Sequence, residues 1–155
     1  DVRFVYLLRD PVSRLWSQMR MVARRQVADI ADYPRRALML MRQAIRGIAG
    51  GKTDREDYAG TITRMQGVIA PQRLMVMFQD DMLTPAGLAR LWSFLGIGAG
   101  QADFGRRVLE GVSLPLPPRL QAKAFAVLRP QYDFVAPQFP ALPESWRKTL
   151  NEVHA

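Results

Sequence analysis

Residues 1–21 decide the fold of this chain and read DVRFVYLLRDPVSRLWSQMRM. The apolar run from Val2 to Leu8, interrupted only by Arg3, is too short for a stand-alone helix and is rich in β-branched and aromatic residues, so it predicts a buried strand. Asp10 is a good N-cap, and Pro11 suits the first position of a helix, where an N–H has no intrahelical partner. The segment therefore predicts a strand, a tight turn and a helix.

The same segment contains a candidate phosphate site. Arg9 lies where the predicted strand ends, and Ser17 lies about two turns into the predicted helix. Ligands of open α/β sheets bind at the carboxyl ends of the strands. A guanidinium group supplies paired donors that match phosphate oxygens, and a serine hydroxyl adds a third. Spacing alone leaves two interpretations open, namely this site or an arginine at a strand end beside a solvent-facing serine.

Two segments resemble the sulfotransferases. RDPVSRLWS, at Arg9–Ser17, resembles their 3′-phosphate-binding segment, which has an arginine, any residue, a proline and then a serine at this offset. RLMVMFQDDM at residues 73–82 and LARLWSFLGI at residues 88–97 resemble their strand, acidic turn and helix ending in phenylalanine-leucine-glycine. The resemblance implies 3′-phosphoadenosine-5′-phosphosulfate as cosubstrate, no metal, and Arg9 and Ser17 as ligands of the 3′-phosphate. In the family this turn carries a glutamate. We interpret Asp80, its shorter replacement, as a structural residue and expect it to pair with Arg9 or Arg14.

Three further residues receive roles from this resemblance. Tyr58 matches, by order and separation, a tyrosine that lies beside the adenine, although a core tyrosine with its hydroxyl at the surface explains it equally well. Arg106 and Arg107 lie where well-known members have a basic loop over the 3′-phosphate, commonly with lysine-glycine. This sequence has no lysine-glycine there. The two arginines could substitute for it in the manner of some bacterial members of the family.

The family's phosphosulfate loop, lysine-x-glycine-threonine-threonine, does not occur in these 155 residues. The glycine-rich stretch Gly47 to Lys52 follows a predicted helix and not a strand, so it does not predict a phosphate cradle. We therefore expect residues 1–155 to form a single domain, roughly the C-terminal two-thirds of a sulfotransferase domain, with the catalytic base upstream of Asp1. Such a chain is expected to transfer no sulfate alone. It would expose a sheet edge, which predicts self-association or pairing with the missing N-terminal segment.

The composition is typical of a folded domain without disulfides. The chain is 48% hydrophobic and has no cysteine and a single histidine, which argues against a disulfide scaffold, thiol catalysis and a zinc site. No apolar run approaches the roughly 18 residues of a membrane span, and no signal peptide is visible. We therefore expect a cytoplasmic protein.

The charge favours anionic partners. Lysine and arginine number 22 against 14 acidic residues, a net charge of +8. Arginines crowd the first third of the chain, at Arg20, Arg24, Arg25, Arg35, Arg36, Arg42 and Arg46. Aromatic residues do not alternate with them, so a solvated face around an anionic cosubstrate is favoured over specific nucleic-acid binding. The acceptor would be a hydroxyl or amine of a small molecule or carbohydrate. The alternative is a non-catalytic anion- or nucleotide-binding protein that uses its arginine-rich face.

The expected fold is α/β, of the P-loop-like, three-layer sulfotransferase type, N-terminally incomplete and helix-dominated with a small parallel sheet. Its strands are Val2 to Leu8 and Leu74 to Phe78. Helices are expected over residues 32–50, from Thr53 or Asp54 to about Ala70, from Pro85 to Gly96, from Leu120 to Pro130 and around Trp146. Thr84 is expected to cap the helix that starts at Pro85, and the apolar stripe of that helix, at Leu88, Leu91, Trp92 and Leu95, is expected to be core. Four aromatic residues are expected to pack against the sheet and to bind nothing, namely Tyr132, Phe134, Phe139 and Trp146. The alternative fold is a helical bundle in which both apolar runs are helices.

Overall fold

The computed structural model describes residues 2–52, 55–104 and 112–154. In these ranges the elements are β1 Phe4–Leu8, α1 Pro11–Gln26, α2 Tyr33–Ala49, α3 Tyr58–Val68, β2 Leu74–Phe78, α4 Gln79–Met82, α5 Pro85–Leu95, α6 Pro118–Val135 and α7 Glu144–His154. Short 3-10 turns lie at Ile30–Asp32, Pro71–Arg73 and Ala136–Gln138. The expected class, helix-dominated α/β with a small parallel sheet, is confirmed.

The chain forms two compact units. Unit 1 comprises residues 1–9 and 60–110, with β1, Arg9, most of α3, β2, α4 and α5. Unit 2 comprises residues 10–59 and 111–155, with α1, α2, the first two residues of α3, α6 and α7. The statement that residues 1–155 are one sulfotransferase domain stays a prediction.

The sheet of unit 1 is parallel, in the register Phe4↔Leu74, Val5↔Met75, Tyr6↔Val76, Leu7↔Met77 and Leu8↔Phe78. Arg3, the residue that interrupts the first apolar run, donates from Nη1 to the carbonyl oxygen of Phe94 on α5. Its guanidinium carbon also lies 5.9 Å from the centroid of the Phe94 ring. Arg3 therefore links the start of β1 to α5. The strand itself is only partly buried, since Leu8 alone of Phe4–Leu8 is fully buried, whereas the sequence predicts a buried strand.

The start and end of α5 follow local rules. The Thr84 hydroxyl accepts a hydrogen bond from the Gly87 N–H at 3.0 Å and donates one to the Asp81 carbonyl at 2.7 Å, so it caps the helix as expected. A β-carbon at Gly87 would overlap the Asp81 carbonyl oxygen, so the close approach of α4 to α5 requires glycine there. The helix ends at Gly96, whose φ of 68° is left-handed.

Unit 1 buries its apolar residues unevenly. Met77 and Phe78 are buried, whereas Phe4 and Leu7 are 40% and 39% exposed. The apolar stripe of α5 is only half-buried, at Leu88, Leu91, Trp92 and Leu95, although the sequence predicts a core stripe. Self-association, or pairing with a partner, at the sheet edge stays a prediction.

Unit 2 contains most of the buried apolar side chains. Helices α1 and α2 pack against each other and both contact α6. Each helix contributes buried residues at helical spacing, including Leu15 and Trp16 on α1, Ala37, Met41 and Ile45 on α2, Phe125 and Leu128 on α6, and Trp146 on α7. This helical core fixes the orientation of α1, the helix that carries Ser17.

One predicted helix end is wrong. The sequence predicts that Pro130 ends its helix, but α6 continues through Pro130 to Val135. A proline inside a helix removes one backbone hydrogen bond and lowers stability by about 3 kcal/mol. Beyond Pro130, α6 places Tyr132 and Val135 in the core at 1% and 0% exposure, and this packing outweighs the local loss.

The other predicted elements can be compared directly. Both apolar runs are strands, so the helical-bundle alternative is wrong. Asp10 caps α1, the helix expected over residues 32–50 is α2, and Thr53 and Asp54 lie outside the described residues. None of the helices in the described ranges is both long and apolar enough to cross a membrane. The P-loop-like, three-layer arrangement stays a prediction.

Candidate functional site

Arg9 lies at the carboxyl edge of the sheet in unit 1. Because β1 and β2 are parallel and Leu8 pairs with Phe78, the chain leaves both strands at the same edge, at Arg9 and at Gln79. This is the edge at which open α/β sheets bind ligands. Arg9 is half-buried, whereas Asp80, one residue beyond Gln79, is exposed. The structure thus places Arg9 and the start of the acidic turn, Gln79, at one edge of one sheet.

The first turn of α1, in unit 2, is held by a buried carboxylate. Asp10 is 0% exposed, and its Oδ1 accepts a hydrogen bond from the Ser13 N–H at 2.7 Å. Its Oδ2 accepts a hydrogen bond from the Tyr132 hydroxyl at 2.5 Å. The Tyr132 oxygen in turn accepts from the Val12 N–H at 3.4 Å. Asp10 therefore joins the start of α1 to α6.

The pKa of Tyr132 is raised well above its ordinary value of 10.0. Burial is the larger cause, because it disfavours the phenolate, and the Asp10 carboxylate raises the pKa further through its negative charge and its hydrogen bond. The Tyr132 hydroxyl is therefore protonated at neutral pH and is the donor to Asp10.

The backbone N–H groups of this first turn all have partners. Pro11 has no N–H, Val12 donates to Tyr132, Ser13 donates to the Asp10 side chain, and Arg14 donates to the Asp10 carbonyl at 2.9 Å. A phosphate often binds the free N–H groups at a helix N-terminus. At α1 those groups are occupied beside a buried carboxylate, so an anion near this turn has to be bound by side chains.

Two residues of α1, Arg14 and Ser17, have predicted roles in the phosphate site. Ser17 is half-buried, one helical turn beyond Arg14. The Nη1 of Arg14 lies 2.9 Å from Oε1 of Glu56, a residue that is 8% exposed, and the pairing of Asp80 with Arg9 or Arg14 stays a prediction. Arg14 therefore compensates a buried carboxylate within unit 2. Arg9 belongs to unit 1 and Ser17 to unit 2, and their meeting at one phosphate stays a prediction.

Tyr58 is a core residue of unit 2. It is 1% exposed, and its ring stacks on Trp146 with centroids 6.3 Å apart and planes inclined by 29°. Trp146 also contacts Tyr132 edge to face, at 5.2 Å and 70°. The sequence leaves two explanations open for Tyr58, namely core packing and a position beside the adenine. Its burial agrees with core packing, and the position beside the adenine stays a prediction. Arg106 and Arg107 lie outside the described residues.

Helices α1 and α2 together carry eight arginines and no acidic residue. Arg14 pairs with Glu56, Arg20 donates to the Val112 carbonyl at 3.3 Å, and Arg36 donates to Gln26 at 2.9 and 2.7 Å. Five more are exposed, at Arg24, Arg25, Arg35, Arg42 and Arg46. Unit 2 consequently presents a basic surface formed by α1 and α2.

Sequence reasoning missed two residues of this region. Tyr132 lies 122 residues from Asp10 in the chain, and Glu56 lies 42 residues from Arg14, so no local pattern links them.

In the described part of the chain, no three potential metal ligands of the His, Cys, Asp and Glu types gather into a group.

Comparison with known proteins adds no relative. A scan of protein-family models, a search of curated proteins and a search of solved structures each gave no match to this chain. The resemblance to the sulfotransferases therefore depends on the residues quoted above, and the roles it implies are proposals.

Proposed function

We propose that this chain carries the 3′-phosphate and adenine side of the cosubstrate site of a sulfotransferase. In the proposed reaction a sulfuryl group leaves 3′-phosphoadenosine-5′-phosphosulfate for a hydroxyl or amine of a small molecule or carbohydrate, and adenosine 3′,5′-bisphosphate is the other product. Arg9 and Ser17 bind the 3′-phosphate, Tyr58 lies near the adenine, and Arg106 and Arg107 close over the phosphate.

The parallel pairing of β1 with β2 is the observation that supports this proposal. RDPVSRLWS follows β1 and QDDM follows β2, and the two segments leave the sheet at the same edge. If the similarity of these two segments were due to chance, the strands that precede them would not need to be neighbouring and parallel. Ligand sites of open parallel sheets lie at this edge.

The occupied N–H groups of α1 sharpen the proposal. Because Val12, Ser13 and Arg14 donate within the protein, the 3′-phosphate would depend on the Arg9 guanidinium and the Ser17 hydroxyl. Hydrogen bonds between charged groups contribute about 1.5–3 kcal/mol. Loss of Arg9 should therefore abolish most of the affinity that the 3′-phosphate provides.

The test is calorimetric titration of adenosine 3′,5′-bisphosphate into variants. Arg9→Ala should weaken binding by roughly ten- to a hundredfold, and Ser17→Ala by less. Arg9→Lys should restore only part of the affinity, because lysine keeps the charge but loses the paired donors. Arg25→Ala, which removes the same charge from an exposed position on α1, is the matched control. Equal losses in Arg9→Ala and Arg25→Ala would refute the assignment.

The basic surface of α1 and α2 favours a second candidate, a non-catalytic anion-binding protein. Its eight arginines without an acidic residue would attract a polyanion through charge alone. Duplex DNA of two unrelated sequences distinguishes the candidates. The sulfotransferase proposal predicts weak binding that is equal for both sequences and is lost steeply with salt. Tight binding that is equal for both sequences, together with no preference for adenosine 3′,5′-bisphosphate over adenosine 5′-monophosphate, would favour the second candidate.

A further inference from the structure

The buried pair of Asp10 and Tyr132 does more than an N-cap requires. A serine, threonine or asparagine caps a helix as well as aspartate does, without placing a charge in the interior. Asp10 is 0% exposed, and a buried carboxylate is stable only when its oxygens have donors. Ser13 supplies the donor for Oδ1, and Tyr132 supplies the donor for Oδ2.

The Tyr132 ring and hydroxyl have separable roles. The ring lies 5.1 Å from the Phe125 ring and 5.2 Å from the Trp146 ring, between centroids, and phenylalanine would preserve both contacts. The hydroxyl alone reaches Asp10 and the Val12 N–H. Packing therefore accounts for the ring, whereas the hydroxyl fixes the orientation of the first turn of α1.

We infer that Tyr132 is a positioning residue for the 3′-phosphate site: its hydroxyl holds Asp10, and Asp10 fixes the first turn of α1, the helix that carries Ser17. This inference rests on the proposed function. Because the N–H groups of the first turn already have partners, the turn does not bind the phosphate itself. It contributes by orienting the side chains that do.

The experiment compares three variants by calorimetric titration with adenosine 3′,5′-bisphosphate and with adenosine 5′-monophosphate. Tyr132→Phe removes the hydroxyl and keeps the ring. Asp10→Ser keeps an oxygen that can cap α1, but the serine side chain is too short to reach Tyr132 as well. This variant therefore tests the hydrogen bond between residues 10 and 132 even if Tyr132→Phe does not fold. Tyr33→Phe is the matched control, because Tyr33 is 3% exposed and donates to the Val112 carbonyl at 3.1 Å.

We expect Tyr132→Phe and Asp10→Ser each to weaken bisphosphate binding about tenfold, as when a charge-assisted hydrogen bond is partly lost. Monophosphate binding should change by less than about twofold, and Tyr33→Phe should leave both ligands unaffected. Thermal unfolding of every variant measures any general loss of stability. A purely structural role of Tyr132 would not change the ratio of the bisphosphate affinity to the monophosphate affinity.

The outcomes separate the inference from the proposed function. If the wild-type chain prefers the bisphosphate and Tyr132→Phe keeps that ratio, the positioning role is wrong and the proposed function stands. If the wild-type chain shows no preference for the bisphosphate, both are wrong. Amide hydrogen exchange at Ser13, which should accelerate in Tyr132→Phe, then still reports whether the hydroxyl fixes the turn.

Discussion

The hydroxyl of Tyr132 donates to Oδ2 of Asp10 at 2.5 Å, while Oδ1 of the same carboxylate caps α1 through the Ser13 N–H. One buried side chain thus serves two helices that are far apart in sequence. The arrangement fixes the start of α1 and also makes the stability of unit 2 depend on the proton of Tyr132.

Stability at alkaline pH tests this dependence. Burial and then the Asp10 carboxylate raise the pKa of Tyr132 in the folded protein above its ordinary value of 10.0. In the unfolded chain Tyr132 ionises near pH 10, so its contribution to stability is fully present below that pH. Above it, the contribution should fall by about 1.4 kcal/mol for each pH unit.

Urea unfolding of the wild type and of Tyr132→Phe at a series of pH values measures this. The difference between their free energies of unfolding should be constant from about pH 7 to 9 and should shrink as the pH rises towards about 11. A difference that stays constant up to about pH 11 would mean that folding does not change the ionisation of Tyr132.

The ion pair of Arg14 with Glu56 predicts an asymmetry between two variants. Arg14→Met leaves the Glu56 carboxylate, 8% exposed, without its guanidinium partner, whereas Glu56→Gln keeps a hydrogen-bond acceptor. We expect the free energy of unfolding to fall by about 2–3 kcal/mol in Arg14→Met and by about 1 kcal/mol in Glu56→Gln.

Arg129→Met is the control for this pair. Arg129 and Asp133 form an exposed pair at 3.5 Å, with side chains 60% and 66% exposed, so this variant should change the free energy of unfolding by less than about 0.5 kcal/mol. Urea unfolding of the three variants checks the order. Equal effects of Arg14→Met and Arg129→Met would show that the buried pair does not stabilise unit 2.

Two glycine variants should have opposite effects on unit 1. A β-carbon at Gly87 would overlap the Asp81 carbonyl oxygen, so Gly87→Ala should destabilise by about 1–3 kcal/mol. Gly67 lies on α3 with no heavy atom within 4 Å of a β-carbon built there, so Gly67→Ala should stabilise by about 0.5–1 kcal/mol. Thermal unfolding measures both, and a neutral Gly87→Ala would contradict the close approach of α4 to α5.

Local signals in the sequence were sufficient for the parts of the fold that local rules govern. The β-branched and aromatic run before Arg9, the Asp10-Pro11 helix start and the Thr84 cap all act within a few residues, and the structure confirms each. The end of α6 could not be predicted in this way. Pro130 disfavours helix locally, but burial of Tyr132 and Val135 beyond it depends on contacts with the rest of unit 2.

The candidate site shows the same division. Arg9 and Ser17 follow from a contiguous motif, and the sheet register gives Arg9 its place at the carboxyl edge. The partners that orient α1, Tyr132 and Glu56, come from distant segments, and no pattern in the sequence identifies them. Tyr58 has an aromatic and a polar end, so its type alone fits either a core or a ligand, and only the contact with Trp146 reveals its packing.

Recognition of the 3′-phosphate is the central claim, and a side-by-side calorimetric titration of the wild-type chain tests it most directly. The two ligands are adenosine 3′,5′-bisphosphate and adenosine 5′-monophosphate, which differ only in the 3′-phosphate. We expect the bisphosphate to bind at least about tenfold more tightly, since paired hydrogen bonds from a guanidinium to one phosphate contribute at least about 1.4 kcal/mol. Equal affinity for the two ligands, or binding of neither, would contradict the account.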